Sequence, residues 1–171
     1  MSSIVLIGFM GTGKTAVGRR LAERLDREFI DLDAIIERQE GIPIEKIFRR
    51  HGETYFRSLE KKAVAELSES RDMVVAAGGG AVLDRENVRN LQKLGKLVHL
   101  TARPGVIVER ISGQHHRPLM EADDRRRRIE EMMAVRWPFY TVADLDVDTS
   151  DLSIREVVER IVNRLEESSY G

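Results

Sequence analysis

The chain has 171 residues, 42% of them hydrophobic and 33% charged, which is the size and composition of a single soluble domain spanning 1–171. A net charge of −1 argues against a general binder of nucleic acid or membranes, and the lack of cysteine excludes disulfides, thiolate catalysis and cysteine-ligated metals. The apolar run near the N-terminus has no basic leader and is too short to span a bilayer, so we expect a cytoplasmic protein and, since nothing demands an oligomer, a monomer.

Strands and amphipathic helices alternate along the predicted chain. Apolar runs predict strands at 4–8, 28–33, 73–77, 96–100 and 144–149. Helical spacing and capping signals predict helices at 14–26, 33–40, 44–50, 53–68, 85–94, 104–111 and 153–167, and another beginning in DDRRRRIEEMMAVRWPFY, after an aperiodic loop at 112–124. This alternation predicts an α/β fold with a parallel sheet covered by helices, whose ligands bind beyond the carboxyl ends of the strands.

The segment GFMGTGKT, residues 8–15, follows the first strand and opens the first helix. It fits the phosphate-binding pattern G-x-x-x-x-G-K-[ST], in which glycines let backbone N–H groups surround phosphate oxygens at a helix N-terminus. In this pattern Lys14 reaches the β- and γ-phosphates, and the Thr15 hydroxyl ligates Mg²⁺. The segment therefore predicts a site for a nucleoside triphosphate.

The phosphate loop alone does not say what is done with the nucleotide, because GTPases, motors, helicases and small-molecule kinases share it. The chain is too short for most motors, and it contains no guanine-reading N-K-x-D sequence. These observations favour a compact kinase that binds a second, acceptor substrate.

Two carboxylates, Asp31 and Asp33, flank Leu32 at the end of the predicted second strand. Residues two apart in an extended segment point to the same side, so one carboxylate could hold Mg²⁺ and the other could accept a proton from the acceptor hydroxyl. The alternative is that Asp33 caps the following helix and Asp31 is solvated. Their spacing leaves both interpretations open.

Three arginines are candidates for binding anionic groups. Arg57 and Arg136 lie among aromatic and apolar residues, where a guanidinium suits bidentate binding of a carboxylate, and Arg117 lies in the predicted loop, where it could approach a transferring phosphate. The alternatives are an i,i+3 ion pair of Arg57 with Glu60, helix-end packing around Arg136, and a single basic residue in a mobile loop. The histidines have no partner at metal-ligand spacing and are interpreted as non-catalytic.

Six segments occur here in the order in which they occur in shikimate kinases, and the chain resembles that family over nearly its whole length. The segments are GFMGTGKTAVGRRLA, DLD, FRSLE, GGGAV, RPL and RWPFY. The resemblance implies a three-layer P-loop kinase fold, with a central five-stranded parallel sheet, helices on both faces and a mobile lid at about 112–124. It also implies an acceptor-binding region at about 33–60 and transfer of the ATP γ-phosphate to the 3-hydroxyl of shikimate, on the pathway to chorismate and the aromatic amino acids.

The resemblance also implies the site residues, position by position. Lys14, Asp33 and Arg117 are the catalytic residues, with Asp33 binding the acceptor hydroxyl and helping to deprotonate it, and Thr15 and Asp31 lie at Mg²⁺. The ATP-binding residues are Gly8, Met10, Gly11, Thr12, Gly13, Lys14, Thr15, Ala16, Arg110 and Arg117. The shikimate-binding residues are Asp33, Phe48, Phe56, Arg57, Gly78, Gly79, Gly80 and Arg136, in which the two arginines clamp the carboxylate and Glu60 orients Arg57.

Three adjacent glycines, Gly78, Gly79 and Gly80, follow the third predicted strand. Such a triplet is either a flexible loop or a place where backbone approaches another group closely. In the family this segment lies against shikimate, so we expect a Cβ at Gly79 or Gly80 to occupy the space of the substrate.

Two features depart from the family pattern, and two rival functions remain open. Ala16 stands where the family often has a hydroxyl residue, and the adenine-side loop at 148–153 lacks the basic residue and proline that are common there. The rivals are another small-molecule kinase, such as a gluconate kinase, and a non-catalytic nucleotide-dependent regulator. A regulator would have no use for the acceptor-side residues Asp33, Arg57 and Arg136.

Overall fold

The computed structural model describes residues 2–112 and 122–168. The strands within them are β1 (Ser3–Ile7), β2 (Glu28–Asp31), β3 (Met73–Ala76), β4 (Gly95–Thr101) and β5 (Leu145–Asp148). The α-helices within them are α1 (Lys14–Leu25), α2 (Leu32–Glu40), α3 (Ile44–Leu67), α4 (Arg85–Leu94), α5 (Pro104–Ser112), α6 (Ala122–Tyr140) and α7 (Ile154–Glu167). A short 3₁₀ helix, Ala81–Leu83, follows the glycine triplet.

The strands form one five-stranded sheet in the order β2-β3-β1-β4-β5, and every neighbouring pair is parallel. From β1 the chain runs to β2 and β3 on one side of the sheet, and then to β4 and β5 on the other. The direction of winding therefore reverses beside β1, where an open parallel sheet forms a crevice at the carboxyl ends of its strands. The phosphate loop begins at this crevice.

Successive side chains of β1 enter two different hydrophobic cores, because neighbouring residues of a strand point to opposite faces. Val5 and Ile7 belong to a core that α2, α3, α4, α5 and α6 cover. Ile4 and Leu6 belong to a second core that α1 and α7 cover. Helices on both faces of a parallel sheet confirm the predicted three-layer α/β fold.

The predicted boundaries agree with the structure to within one or two residues, and the differences that matter lie at three places. β2 ends at Asp31 rather than at residue 33. The helices predicted at 44–50 and 53–68 form α3, which Gly52 interrupts with a φ of 83°. α6 begins at Ala122, so the end of the loop predicted at 112–124 is helical, and positions 113–121 lie outside the described residues. No helix of the described ranges is long and apolar enough to cross a membrane.

Candidate active site

The phosphate loop connects β1 to α1, and glycines determine its path. Gly8, Gly11 and Gly13 have φ values of +144°, +75° and +101°, in a region that other residues seldom adopt. A Cβ at Gly8 would also overlap with the Leu100 carbonyl. Gly13 gives α1 no side-chain cap, so the N–H groups of the first helical turn are available to an anion. The residues of this loop thus suit a phosphate group.

Lys14, the first residue of α1, folds back across the loop. Its Nζ donates hydrogen bonds to the carbonyl oxygens of Gly8, at 2.8 Å, and Phe9, at 2.9 Å. Burial lowers the pKa of Lys14 to about 8, although the nearby carboxylates of Asp33 and Asp31 act in the opposite direction. A desolvated ammonium group in this position is well placed to pair with phosphate, whose charge would raise the pKa again.

Asp31, not Asp33, caps α2. Asp31 Oδ1 accepts hydrogen bonds from the backbone N–H groups of Asp33, at 3.0 Å, and Ala34, at 3.3 Å. The prediction that both carboxylates point to one side of an extended strand is wrong, because α2 has already begun at Leu32. The alternative, with Asp33 as the cap, is wrong for the same reason.

The second oxygen of Asp31, Oδ2, accepts a hydrogen bond of 2.9 Å from Thr15 Oγ1. The two side chains predicted at Mg²⁺ are therefore in contact at the edge of the phosphate loop. No cluster of three or more His, Cys, Asp or Glu residues in the described part of the chain could hold a metal. Magnesium usually takes only one or two protein ligands beside water and phosphate oxygens, so this pair fits a phosphate-dependent Mg²⁺ site.

Asp33 and Glu60 each have a buried oxygen, Oδ1 and Oε2 respectively, with no hydrogen-bond partner among the described residues. A Cβ at Gly78 would lie 2.9 Å from both atoms, so both carboxylates approach the same stretch of glycine backbone. Burial, followed by the negative charges of Asp31 and Glu60, raises the pKa of Asp33 to about 6. Burial also raises the pKa of Glu60, against the opposing effect of Arg57. Asp33 Oδ1 can thus accept a hydrogen bond, and then a proton, from a substrate hydroxyl.

Two guanidinium groups border the glycine triplet. Arg57 Nη1 donates to Glu60 Oε1 at 2.8 Å, and a Cβ at Gly80 would overlap with the Arg57 guanidinium. A Cβ at Gly79 would lie 3.4 Å from Arg136 Nη1. The triplet is therefore a place of close approach, and at Gly80 the approaching group is the chain's own arginine. Two cations beside one backbone segment are arranged to bind a carboxylate between them.

Aromatic rings support both arginines. Phe56 is buried, and its ring centroid lies 5.3 Å from Arg57 Cζ and 4.8 Å from the centroid of Phe48. Phe48 is partly exposed, so its ring is accessible to a ligand. Arg136 Cζ lies 5.7 Å from the ring centroid of Phe9, which the sequence did not single out. Both guanidinium groups thus have the cation–π contacts that suit a fixed orientation.

The other predicted ATP residues lie on or beside the phosphate loop, with one exception. Met10 and Ala16 are exposed, whereas Thr12 is buried and its Oγ1 donates to the Phe9 carbonyl at 2.8 Å. Thr12 therefore shapes the loop from within. Arg117, predicted to approach the phosphates from the lid, lies outside the described residues.

Arg110, predicted near adenine, joins the phosphate loop to the end of β5. It donates to the Gly11 carbonyl at 3.1 Å and to Oγ1 and the carbonyl of Thr149, both at 3.0 Å. The buried Thr149 hydroxyl also lies 3.0 Å from the carbonyl oxygens of Thr12 and Thr101, and its single proton serves one of them at a time. Thr149 lies in the loop at 148–153, which the sequence placed on the adenine side without singling out this residue.

Sequence reasoning also missed Tyr140, whose hydroxyl donates to the Gly79 carbonyl at 2.7 Å. The segment RWPFY contained a signal, because Tyr140 follows Arg136 by one helical turn and so shares its side of the helix. Helix-end packing, the alternative given for this segment, does not include that hydrogen bond.

Known proteins of one family match this chain along nearly its full length. The family model for shikimate kinase matches residues 10–166. The shikimate kinase of Pelotomaculum thermopropionicum is 48% identical over 99% of both chains. The shikimate kinase of Caldanaerobacter subterraneus subsp. tengcongensis is 46% identical over 95% of both chains.

Solved structures agree with these sequence relatives. A shikimate kinase from Acinetobacter baumannii in complex with shikimate has a TM-score of 0.90 at 34% identity, covering 98% of this chain and 94% of its own. The shikimate kinase of Aquifex aeolicus has a TM-score of 0.82 at 34% identity, covering 99% of both chains. A sugar kinase from Janibacter, at 19% identity and a TM-score of 0.57, shares the fold alone. With a family model and relatives that match it almost from end to end, this chain belongs to the shikimate kinase family.

Proposed function

We propose that this chain transfers the γ-phosphate of ATP to the 3-hydroxyl of shikimate, giving ADP and shikimate 3-phosphate for the biosynthesis of chorismate and the aromatic amino acids. Family membership makes it a kinase with ATP as phosphate donor. The observation that carries the acceptor end is the buried Oδ1 of Asp33, which has no hydrogen-bond partner among the described residues and is close to both Lys14 and the Gly78 backbone. A substrate hydroxyl bound there would supply the missing hydrogen bond.

The donor end of the site is the phosphate loop. Its glycines and the uncapped N-terminus of α1 support binding of the ATP phosphates, and Lys14 is close enough to pair with them. We assign ATP binding to Gly8, Met10, Gly11, Thr12, Gly13, Lys14, Thr15, Ala16, Arg110 and Arg117. Thr15 and Asp31 would hold Mg²⁺, which when bound neutralises charge on the β- and γ-phosphates.

The acceptor end is the space between Arg57 and Arg136, beside the glycine triplet. Shikimate carries one carboxylate, and two guanidinium groups next to unhindered backbone can bind it through charged hydrogen bonds. The structure of the Acinetobacter baumannii enzyme in complex with shikimate supports a small-molecule acceptor for this fold. We assign shikimate binding to Asp33, Phe48, Phe56, Arg57, Gly78, Gly79, Gly80 and Arg136.

Transfer requires one proton to leave the acceptor hydroxyl. As the hydroxyl oxygen attacks the γ-phosphorus, the bond from that phosphorus to the departing ADP oxygen breaks and the proton moves to Asp33. A pKa of about 6 leaves Asp33 mostly ionised at neutral pH, and makes it a stronger base than an exposed aspartate. Lys14 would stabilise the negative charge on the transferring group, and we assign the same role to Arg117.

We further propose that residues 1–171 act as one domain and as a monomer in the cytoplasm, without a nucleic-acid or membrane partner. The net charge of −1 supports the last point. A gluconate kinase is not favoured, because the relatives along the whole chain are shikimate kinases. A non-catalytic regulator is not favoured either, since the acceptor-side charges are present and close together.

The test is phosphate transfer from MgATP to shikimate, followed by ADP release, with gluconate and quinate as parallel acceptors and one reaction without acceptor. We expect ADP release that depends strictly on shikimate. ATP binding without transfer to shikimate, or preferential transfer to gluconate, would overturn the acceptor assignment. Neither result would contradict the assignment of ATP binding to the phosphate loop.

A further inference from the structure

Tyr140, the last residue of α6, connects the acceptor side of the site to the sheet. It is 3% exposed, and its hydroxyl donates to the Gly79 carbonyl at 2.7 Å. Its ring stacks on that of His99, with centroids 4.6 Å apart and planes 20° apart. His99 is itself buried, with Nδ1 2.7 Å from Asp146 Oδ1. Three side chains and one backbone carbonyl thus form a continuous set of contacts that ends at the glycine triplet.

His99 holds this set of contacts against the sheet. In the β1–β4 pairing it lies opposite Ile7, the residue directly before the phosphate loop. Burial lowers the pKa of His99, outweighing the opposing effect of Asp146, so the ring is neutral near neutral pH. Because a carboxylate only accepts, Nδ1–H is the donor to Asp146, which fixes the orientation of the ring under Tyr140.

We propose that Tyr140 is a positioning residue of the acceptor site, whose hydroxyl holds the Gly79 carbonyl and so keeps the glycine triplet at a fixed distance from Arg136. The inference rests on the proposed function, since it takes shikimate to bind between the triplet and Arg136. Arg136 precedes Tyr140 by one turn of α6, and a Cβ at Gly79 would lie 3.4 Å from its Nη1. One helix therefore supplies both the guanidinium and the phenol that holds the facing backbone.

The hydroxyl has a purpose that packing does not explain. A phenylalanine ring would stack on His99 equally well, but the Gly79 carbonyl would lose this donor. Burial raises the pKa of Tyr140 to about 12, with Arg136 and Arg57 acting in the opposite direction, so the phenol keeps its proton and donates it. Backbone hydrogen bonds accepted by the Gly78 and Gly80 carbonyls hold the two ends of the triplet, and the Tyr140 hydroxyl holds the carbonyl of Gly79 between them.

Tyr140→Phe tests the proposal, with Thr141→Val as its matched control. Thr141 is the next residue, and its exposed hydroxyl donates to the Pro138 carbonyl at 2.7 Å. The loss of one buried hydrogen bond should raise the shikimate KM of Tyr140→Phe about three- to tenfold and leave the ATP KM within about twofold. Thr141→Val should change neither constant. Melting temperatures and calorimetric shikimate affinities of all three proteins complete the comparison.

The outcomes separate a positioning role from a structural one. A lower melting temperature with an unchanged shikimate KM, or an equal rise in both KM values, would overturn the inference. A selective rise in the shikimate KM with the matching loss of affinity would support it. If the wild-type chain transfers no phosphate to shikimate, the proposed function fails and this inference fails with it, so the two failures are distinguished by whether the wild type is active.

Discussion

Alanine at Gly80 should weaken shikimate binding without weakening ATP binding. Gly80 has a φ of −103° and a ψ of 4°, which alanine can adopt, so the backbone does not demand glycine there. What excludes a side chain is Arg57, because a Cβ would overlap with its guanidinium nitrogens and Cζ. This group is the end of a flexible side chain that is 26% exposed, so we expect it to move rather than to unfold the protein.

The size of the effect follows from what Arg57 would lose. A displaced guanidinium gives up its 2.8 Å ion pair with Glu60, and it also leaves the place at the shikimate carboxylate that we propose for it. A hydrogen bond to a charged group contributes about 1.5–3 kcal/mol, which corresponds to roughly a ten- to hundredfold rise in the shikimate KM. Alanine also restricts the unfolded chain, which stabilises the folded protein by about 0.4–1 kcal/mol. This offsets only part of the lost ion pair, so the melting temperature should fall modestly.

The assay measures KM for each substrate in steady-state ADP release. Gly105→Ala is the matched control, because a Cβ at Gly105 would have no described atom within 4 Å apart from its chain neighbours and the backbone of its own helix. Gly79→Ala is an intermediate case. Its Cβ would lie 3.4 Å from Arg136 Nη1, a separation that the protein without substrate should tolerate. A tenfold rise in the shikimate KM, about 1.4 kcal/mol, would therefore indicate that the new methyl group contacts the substrate itself. A shikimate KM that is unchanged in Gly80→Ala would refute the reasoning.

The remaining predictions concern the general base and the phosphate loop. Asp33→Asn should lower kcat roughly 10²- to 10⁴-fold with calorimetric ATP affinity retained. The variant should also melt at a higher temperature than the wild type near pH 7.5. Between pH 3.8 and about 6 the folded wild type holds a proton on Asp33 that the unfolded chain has released, and the stability that this proton gives the folded state is lost as pH rises through the folded pKa. In the wild type, kcat/KM for shikimate should fall as pH drops through about 6, since Asp33 then becomes protonated, and a profile that stays flat below that pH would contradict its role as base. Thr149→Val should raise the ATP KM about three- to tenfold, because it removes a hydrogen-bond partner of Arg110 and of the Thr12 carbonyl. Thr149→Ser keeps the hydroxyl and should leave the ATP KM unchanged. Equal ATP KM values for the two variants would show that the hydroxyl is dispensable.

The phosphate loop and the alternation of strands and helices could be predicted because both depend on residues that are neighbours in sequence. The glycines of residues 8–15 stand where the backbone has positive φ, and Ser153 begins α7 with the expected capping interaction. The boundary of β2 could not be predicted, since either Asp31 or Asp33 could cap the next helix and periodicity does not separate them. Asp31 also accepts a hydrogen bond from Thr15, a partner from another element that the local sequence does not reveal.

Contacts between distant parts of the chain also could not be predicted from sequence patterns. Arg57 meets Gly80, and Arg110 meets Thr149, because the strand order β2-β3-β1-β4-β5 brings their elements together. A hydrophobic pattern predicts which face of an element is buried, but not which residue of a neighbouring element it will contact. The resemblance to shikimate kinases implied that the triplet is close to the substrate, and the structure adds that it is close to the chain's own Arg57.

The acceptor site is arranged so that binding should be more sensitive to substitution than folding. Asp33 and Glu60 each keep a buried oxygen that has no partner in the described part of the chain, at a cost of about 1–3 kcal/mol for each such group. Two hydrophobic cores on opposite faces of the sheet offset that cost, and neither core depends on the ionised state of these carboxylates. In the proposed site, shikimate binding depends on the orientation of Arg57, which the ion pair with Glu60 and the absence of a side chain at Gly80 maintain. A change at any of these positions should therefore appear first in the shikimate KM, and a change that neutralises Asp33 should exchange activity for stability.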